Sequence, residues 1–270
     1  MSVGVVRRTA EVVLGSFIIK RRLPDTAGSA LIVASAKVGG LKYLLKSSAK
    51  WDPELLTIAA LLVRKGQSVW DVGANVGLFS KAAAFHAGAE GAVLSIEADV
   101  DAVVLLNRTC RYRAPSHADM TVLPVAVSDL VGFVQFDIAK RARAANSIHG
   151  FGSTQTGGVR ESRTLPCVTL DSMLTQFRAP DVLKIDVEGA ELEVLRGAAA
   201  VLGQPRPIIY CEVSALTRAD VTGLLESCAY GLWDGCGFDG SLNSPRMSQA
   251  TSNLVAIPQE KIEMFLRRND

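Results

Sequence analysis

The stretch Val69-Trp-Asp-Val-Gly-Ala-Asn-Val-Gly-Leu-Phe-Ser80 decides the fold of this chain. Its first residues form an apolar run typical of a short buried strand, and an apolar helical segment begins at Leu78. Gly73 and Gly77 bracket the turn between them. Such a turn before a helix N-terminus binds small ligands in α/β proteins, because glycine permits close approach and the helix end offers free N–H groups. The sequence therefore predicts a ligand-binding turn at residues 73–77.

The type of ligand is narrowed by Asn75 and Glu97. Asn75 stands at the second glycine position of the dinucleotide fingerprint Gly-x-Gly-x-x-Gly, which disfavours a pyrophosphate. Glu97 ends the next strand, where a carboxylate accepts hydrogen bonds from both hydroxyls of a ribose. Because S-adenosylmethionine (SAM) and NAD both carry that ribose, Glu97 indicates an adenosine-type ligand without choosing between them.

Strand-like and helical runs alternate from residue 52 onward, which is typical of βαβ units around a mostly parallel sheet. Strands are predicted at 68–72, 92–97, 121–127, 133–138 (as an edge hairpin), 182–186, 208–213, 231–234 and 254–257. Helices are predicted from a cap at Asp52 through residue 62, and at 78–87, 101–112, 170–177, 188–201 and 217–228. We expect one catalytic domain over residues 51–270 behind an N-terminal helical extension, residues 1–50.

Composition sets the class of protein. The chain has 270 residues, 49% hydrophobic and 21% charged, so it can bury a large core. A net charge of +2 argues against a nucleic-acid partner. Five cysteines without a Cys-x-x-Cys pair fit reduced thiols and a cytoplasmic location.

The apolar run at 12–19 is far shorter than the roughly 20 residues of a membrane span, so no transmembrane segment is expected. An amphipathic helix there would pack on the domain, cap the site or mediate dimerisation. A homodimer is therefore one of the expected assemblies.

Ala139–Arg163 is a long segment rich in small residues, with five Lys or Arg side chains. Segments of this length inside compact domains are often lids or binding loops. We interpret it either as a substrate lid for a polar or anionic acceptor or as a merely solvated loop. His149 lies within it and is a candidate general base.

A second dense motif runs from Leu183 to Ala198 and places acids where a strand meets a helix. Asp186 can cap that helix, and it also lies at the strand tip beside the point where strand order reverses, where open α/β sheets bind ligands. Glu212 ends the next strand and is expected near Asp186.

The chain resembles the FkbM family of SAM-dependent O-methyltransferases. The resemblance rests on Asp71–Gly77, Glu97, residues 126–129, Thr169-Leu-Asp171 and Ile185-Asp-Val-Glu-Gly-Ala-Glu191 in family order, and it covers roughly residues 51 to 258. It implies a class I SAM-methyltransferase (Rossmann-like) fold, a doubly wound, mostly parallel seven-stranded sheet with helices on both faces. Relatives methylate hydroxyls of sugars and polyketide-type natural products, so the implied partner is a small-molecule or glycan acceptor with a free hydroxyl.

The resemblance also implies a SAM site. Its residues would be Asp71, Gly73, Asn75, Gly77 and Phe79 toward the methionine, Glu97 at the ribose, Ala98, Ala126 and Val127 near the adenine, and Asp186 facing the methyl group. Ala98 stands where relatives often have proline.

Two routes for removing the acceptor's proton stay open. Asp186 and Glu212 resemble a two-carboxylate Mg²⁺ site, whereas a metal-free reaction would use Asp186 or His149 as base. The alternatives to a methyltransferase are an inactive SAM-binding scaffold and an NAD-dependent oxidoreductase. A nucleic-acid methyltransferase is disfavoured by the charge and by the absence of an Asn-Pro-Pro-aromatic motif after the fourth strand.

Overall fold

The computed structural model describes residues 17–35, 38, 51–140, 146–151, 158–241 and 244–267. The strands are β1 (Ile18–Arg22), β2 (Leu31–Ser35), β3 (Ser68–Val72), β4 (Ala92–Ile96), β5 (Asp119–Leu123), β6 (Ala126–Val127), β7 (Gly132–Ala139), β8 (Ser147–Ile148), β9 (Val159–Val168), β10 (Val182–Ile185), β11 (Ile208–Glu212), β12 (Tyr230–Asp234), β13 (Arg246–Met247) and β14 (Asn253–Pro258). The α-helices are α1 (Pro53–Leu62), α2 (Leu78–Ala87), α3 (Val100–Cys110), α4 (Leu170–Met173), α5 (Glu191–Arg196), α6 (Ala199–Gly203), α7 (Arg218–Ser227) and α8 (Ile262–Leu266).

The main sheet has eight strands in the order β13-β12-β14-β11-β10-β3-β4-β5. Strands β5, β4, β3, β10 and β11 are parallel, and β14 runs antiparallel to both β11 and β12. The chain proceeds from β3 outward to β5 on one side and from β10 outward on the other, so the switch point lies between β3 and β10. This confirms the doubly wound, mostly parallel sheet, with the two-residue β13 added to the seven strands expected.

Helices cover both faces of this sheet because alternate residues of each strand point to opposite sides. Val69, Val93 and Val182 belong to the core on one face, which includes α1, α2 and α3. Their neighbours Trp70 and Leu94 belong to the core on the other face, which includes residues of α5, α6 and α7.

A second sheet of four strands, in the order β6-β9-β7-β8, stands beside the first. The predicted strand 121–127 is wrong as one element, since β5 ends at Leu123 and β6 begins at Ala126 in the second sheet. Pro124 separates them and has no N–H to donate to a ladder. Segment 133–138 lies in β7, inside this second sheet, and not at the edge of the first.

The predicted helix 188–201 is also wrong in its bounds. Glu188 and Gly189 have φ of 55° and 110°, outside the helical region, and α5 begins only at Glu191. Ala190 occupies the N-cap position, so Asp186 does not cap this helix and remains in the preceding loop. The helix predicted at 170–177 ends at Met173.

The described part of the N-terminal extension is a β-hairpin and not a helix. Strands β1 and β2 pair antiparallel from Ile18 with Ser35 to Arg22 with Leu31. The Val33 N–H donates to Thr109 Oγ1 at 3.0 Å, which ties the hairpin to α3. The amphipathic helix expected around residues 12–19 falls largely on residues 1–16, which lie outside the described residues, as do 36–37 and 39–50. Within the described ranges, no helix combines the length and apolarity that a membrane crossing requires.

Candidate functional site

A cavity of about 620 Å³ opens at the carboxyl ends of β3, β4, β10 and β11, at the switch point of the main sheet. Its volume lies within the roughly 300–1,000 Å³ typical of small-molecule sites. Most of the predicted site residues line it: Gly73, Asn75, Phe79, Glu97, Ala98, Ala126, Val127, Asp186 and Glu212. Asp71, Gly77 and His149 do not line it.

The turn after β3 provides shape and not hydrogen-bond donors. The N–H groups of Gly73 and Ala74 both donate to the Ile96 carbonyl at 2.9 Å. A Cβ on Gly73, whose φ is 77°, would lie 1.8 Å from the Asp186 carbonyl oxygen, so glycine is required for the turn to pack against the loop after β10. Gly77, at φ 91°, faces Leu106 of α3. The expectation of free N–H groups at the turn is therefore wrong for residues 73 and 74.

Glu97 lies at the centre of the cavity and is held by the backbone. Its Oε2 accepts the N–H of Asn75 and its Oε1 that of Asp99, both at 2.7 Å. Burial raises the pKa of Glu97 to about 7, although these two hydrogen bonds favour the carboxylate. Each oxygen keeps a second lone pair, so an ionised Glu97 can accept two hydroxyl groups of a ligand.

Lys184 is a buried cation in the wall of the cavity that sequence reasoning did not select. Its Nζ lies 3.1 Å from Asp71 Oδ1 and 3.4 Å from Asp186 Oδ2, and it donates to the Gly73 carbonyl at 2.7 Å. Burial alone lowers a lysine pKa, but the two carboxylates outweigh it and raise the pKa of Lys184 above its ordinary value. Lys184 therefore joins β3, its turn and the loop after β10.

Asp71 is placed differently from the expectation that it contacts the ligand. Its side chain is fully buried, and its Oδ2 accepts the Ser80 hydroxyl at 2.5 Å. Ser95 in turn donates to Ser80 at 2.8 Å. Asp71 thus supports Lys184 from below, and the carboxylate that Lys184 presents to the cavity is Asp186.

Glu188 and Glu212 line the cavity beside Asp186. Burial and, to a smaller extent, the charges of Asp186 and Glu212 together raise the pKa of Glu188 to about 8. Burial and the Asp186 charge raise the pKa of Glu212 to about 7. Groups that titrate near neutral pH can both take up and release protons under working conditions, which is the property of a general base.

The other end of the cavity is closed by the second sheet. Phe136 and Ile148 line it with Ala126 and Val127, an apolar surface suited to a flat heterocycle. Asn146 fixes the sheet there, because its amide donates to Asp99 Oδ2 at 2.8 Å and its oxygen accepts the Ala139 N–H at 2.9 Å.

The basic segment 139–163 is only partly a loop, and its described arginines are engaged by the protein. Arg163 lies on β9 and contacts Glu161 at 2.8 Å, Asp99 at 3.6 Å and Asp101 at 3.9 Å. Arg160 lies 3.5 Å from Glu161. Residues 141–145 and 152–157 lie outside the described residues. Arg163 therefore braces the second sheet against α3.

His149 follows β8 and points away from the cavity. Its Nδ1 lies 2.7 Å from Asp137 Oδ2, and its side chain is 70% exposed. The structure thus brings Asp186 and Glu212 together at the cavity but leaves His149 outside it.

The carboxylates do not fit the expected Mg²⁺ site. Asp186 is already paired with the Lys184 ammonium. In the part of the chain that the structure describes, no group of three or more His, Cys, Asp or Glu side chains is arranged to hold a metal ion.

Lys184, Glu188, Tyr210 and Asn146 also line the cavity and were not predicted. The signal for Lys184 was present in the sequence, since a lysine stands in the otherwise apolar run Val182–Ile185. The remaining three are positioned by a loop and by strands whose proximity no local pattern shows.

Comparison with known proteins identifies a family model and a relative that this chain matches. The family model described as "Methyltransferase FkbM domain" matches residues 71–232, more than half of the chain. The hexuronic acid methyltransferase AglP from Haloferax volcanii is 30% identical over 161 residues, which cover 58% of this chain and 60% of that protein. The chain thus spans less than two thirds of that relative.

Two solved structures are similar at lower identity. A methyltransferase FkbM from Methylobacillus flagellatus has 14% identity and a TM-score of 0.45, over 93% of this chain and 59% of that one. A precorrin-6Y C5,15-methyltransferase from Geobacter metallireducens has 13% identity and a TM-score of 0.45, over 80% of this chain and 89% of that one.

Proposed function

The chain belongs to the family of the methyltransferase FkbM domain, and from that premise we propose that it transfers a methyl group from SAM to a hydroxyl oxygen of a sugar. One observation carries the proposal: a single cavity joins a ribose-type carboxylate, Glu97, to a carboxylate with a pKa of about 7, Glu212. The name of the relative, a hexuronic acid methyltransferase, supports a sugar as the acceptor class.

The cavity fits SAM in shape and chemistry. Glu97 would hold the ribose hydroxyls, and the apolar end formed by Phe136, Ile148 and Ala126 would hold the adenine. Asn75, Gly73 and Asp186, which line the same cavity, would contact the methionine part. Bound SAM supplies an activated methyl group on a positively charged sulfur.

The residues at the strand ends would position the acceptor and receive its proton. The new bond joins the acceptor oxygen to the methyl carbon as the carbon–sulfur bond breaks, and the electron pair of that bond stays on the sulfur. Glu212 accepts the hydroxyl proton, since its pKa of about 7 leaves it substantially ionised at neutral pH. Lys184 fixes Asp186 beside the reacting centre, and such alignment can contribute several kcal/mol to the barrier reduction.

The test combines SAM binding with methyl transfer. Calorimetry of the full chain with SAM and S-adenosylhomocysteine measures cofactor binding, and methyl-tritiated SAM with a glycan extract of the source organism measures transfer. We expect binding and labelled product. Binding without any labelled product would favour the scaffold, whereas no binding of either compound would refute a SAM-dependent protein of any kind.

The proposed base is tested with Glu212→Gln against Glu226→Gln, the same change on the exposed face of α7. A positioned general base typically increases the rate about 10²–10⁴-fold. Glu212→Gln should therefore lower kcat by a factor in that range, and Glu226→Gln should leave kcat unchanged. Because Glu212 is ionised above a pKa of about 7, wild-type kcat should rise between pH 6 and 8, and the variant should lose this rise.

Activity that persists in EDTA would support the metal-free route, and loss of activity that Mg²⁺ restores would contradict it.

A further inference from the structure

The half of the cavity at the ends of β10, β11 and β14 would receive the acceptor, and we name it the acceptor half. It is lined by Glu54, Asp186, Glu188, Glu212, Tyr210 and Asn253. Asp52 lines it too, and its charge adds to those that raise the pKa of Glu212. Acidic side chains are therefore concentrated where an acceptor must sit, and their mutual repulsion contributes to the raised pKa values of Glu188 and Glu212.

The described side-chain hydrogen-bond donors Tyr210, Asn253 and Lys184 of the acceptor half are engaged within the protein. The Tyr210 hydroxyl donates to Asn253 Oδ1 at 3.3 Å, and Asn253 Nδ2 lies 3.0 Å from Cys236 Sγ. Lys184, the one cation among the described residues that line the cavity, contacts Asp71, Asp186 and the Gly73 carbonyl. The side chains that face the acceptor thus offer mainly acceptor oxygens.

From these two observations we infer that the acceptor is an uncharged or cationic sugar and not a uronic acid. The inference rests on the proposed function and narrows its substrate class. Sugar hydroxyls and ammonium groups are donors, and they match the carboxylates of Glu54, Asp186 and Glu212. A uronate would add a carboxylate that needs donors and is repelled by these acids. The expected acceptor therefore differs in charge from the one that the name of the archaeal relative gives.

The two described arginines of the basic segment 139–163 do not offset these acids. Arg163 and Arg160 contact acids of the protein itself, and Arg163 lies at the opposite end, beside Asp99. The expectation that this segment selects an anionic acceptor thus finds no support from these two arginines.

Three matched acceptors test the inference directly: p-nitrophenyl β-glucoside, β-glucosaminide and β-glucuronide, each with the full chain and methyl-tritiated SAM. We expect kcat/KM for the glucuronide to be at least about tenfold below that for the glucoside, because like charges brought together in a site are costly. The glucosaminide should equal or exceed the glucoside at pH 7. A glucuronide that reacts as well as the glucoside would overturn the inference and leave the proposed function intact.

Variants show whether the carboxylates cause the selectivity. At pH 9, where Glu188 with its pKa of about 8 is ionised, Glu54→Gln and Glu188→Gln should each raise the glucuronide-to-glucoside ratio of kcat/KM about threefold to tenfold, and Glu226→Gln should leave it unchanged. An unchanged ratio in both cavity variants would overturn the inference. Because only the ratio is compared, a general loss of activity in a variant does not affect the conclusion.

If none of the three glycosides reacts, the labelled glycan extract decides. Label that passes an anion exchanger at pH 7 supports the inference, and label retained on it overturns the inference. SAM binding with no label in any fraction would instead show that the proposed transfer itself is wrong, and the inference would fall with it.

Discussion

Replacing Lys184 by methionine should strongly destabilise the protein. The Lys184 side chain is 3% exposed and Asp71 is fully buried, so the variant leaves a buried carboxylate that keeps the Ser80 hydroxyl as a donor but has lost its cation. Removing one member of a buried ion pair typically costs about 3–5 kcal/mol. Methionine keeps a similar volume, so the loss reflects charge and hydrogen bonding and not a cavity.

The assay is urea unfolding of the wild type, Lys184→Met, Asp71→Asn and the double variant at pH 7.5. We expect Lys184→Met to lose about 3–5 kcal/mol and the double variant to recover about 2 kcal/mol or more, because the amide removes the uncompensated charge. Lys65→Met, the same change at an exposed position, should stay within about 0.5 kcal/mol of the wild type.

The stability lost in Lys184→Met should decrease as the pH falls. In the wild type the folded pKa of Lys184 is raised above 10.5, so its stabilisation is complete at every pH below that value. In Lys184→Met the loss comes from the uncompensated negative charge of buried Asp71, so the deficit should shrink as the pH falls from 7.5 toward 5. A loss below about 1 kcal/mol, or one that Asp71→Asn does not relieve, would refute the view that Lys184 is held by its two carboxylates.

Three further outcomes are expected. SAM affinity measured by calorimetry should rise between pH 6 and 8, because Glu97 has a pKa of about 7 and accepts ribose hydroxyls when ionised. A wild-type affinity that does not change with pH, or the same pH dependence in Glu97→Gln, would contradict this role. Gly73→Ala should lower the free energy of unfolding in urea by at least about 3 kcal/mol, because its Cβ would meet the Asp186 carbonyl. The control Gly66→Ala, at φ 79°, meets no atom within 4 Å and should lower it by about 1 kcal/mol. Equal losses in the two variants would show that only the backbone angle φ matters. His149→Ala should change kcat less than about twofold, since the side chain does not line the cavity. A tenfold loss of kcat would show that His149 takes part in the reaction.

Local patterns in the sequence predicted much of the main sheet. The alternation of apolar strands and helices, the turn after β3 and the acids at the ends of β4, β10 and β11 are all readable within short windows. Because parallel strands end at a common edge, these acids could be placed together before any coordinates were known. Glu97, Asp186 and Glu212 do line one cavity.

The errors arose where an element depends on distant partners. β7 and β9 pair through residues that are about 30 positions apart, such as Gln135 with Thr164, so the second sheet is invisible to a local pattern. The N-terminal hairpin is similar, because its place on α3 depends on the contact between Val33 and Thr109. Helical periodicity around Glu188 was misleading because the left-handed backbone there interrupts the helix.

The sequence by itself determined the kind of sheet, its switch point and the acids at its edge, since these follow from local periodicity and from the common direction of parallel strands. Only the tertiary structure decided which acid faces the cavity and which lies beneath it. Asp71 lies within β3, in register with Lys184 of β10, and pairs with it in the core, whereas Asp186 follows the end of β10 and lines the cavity. Burial and charge pairing depend on neighbours in space, and the order of residues along the chain does not specify them.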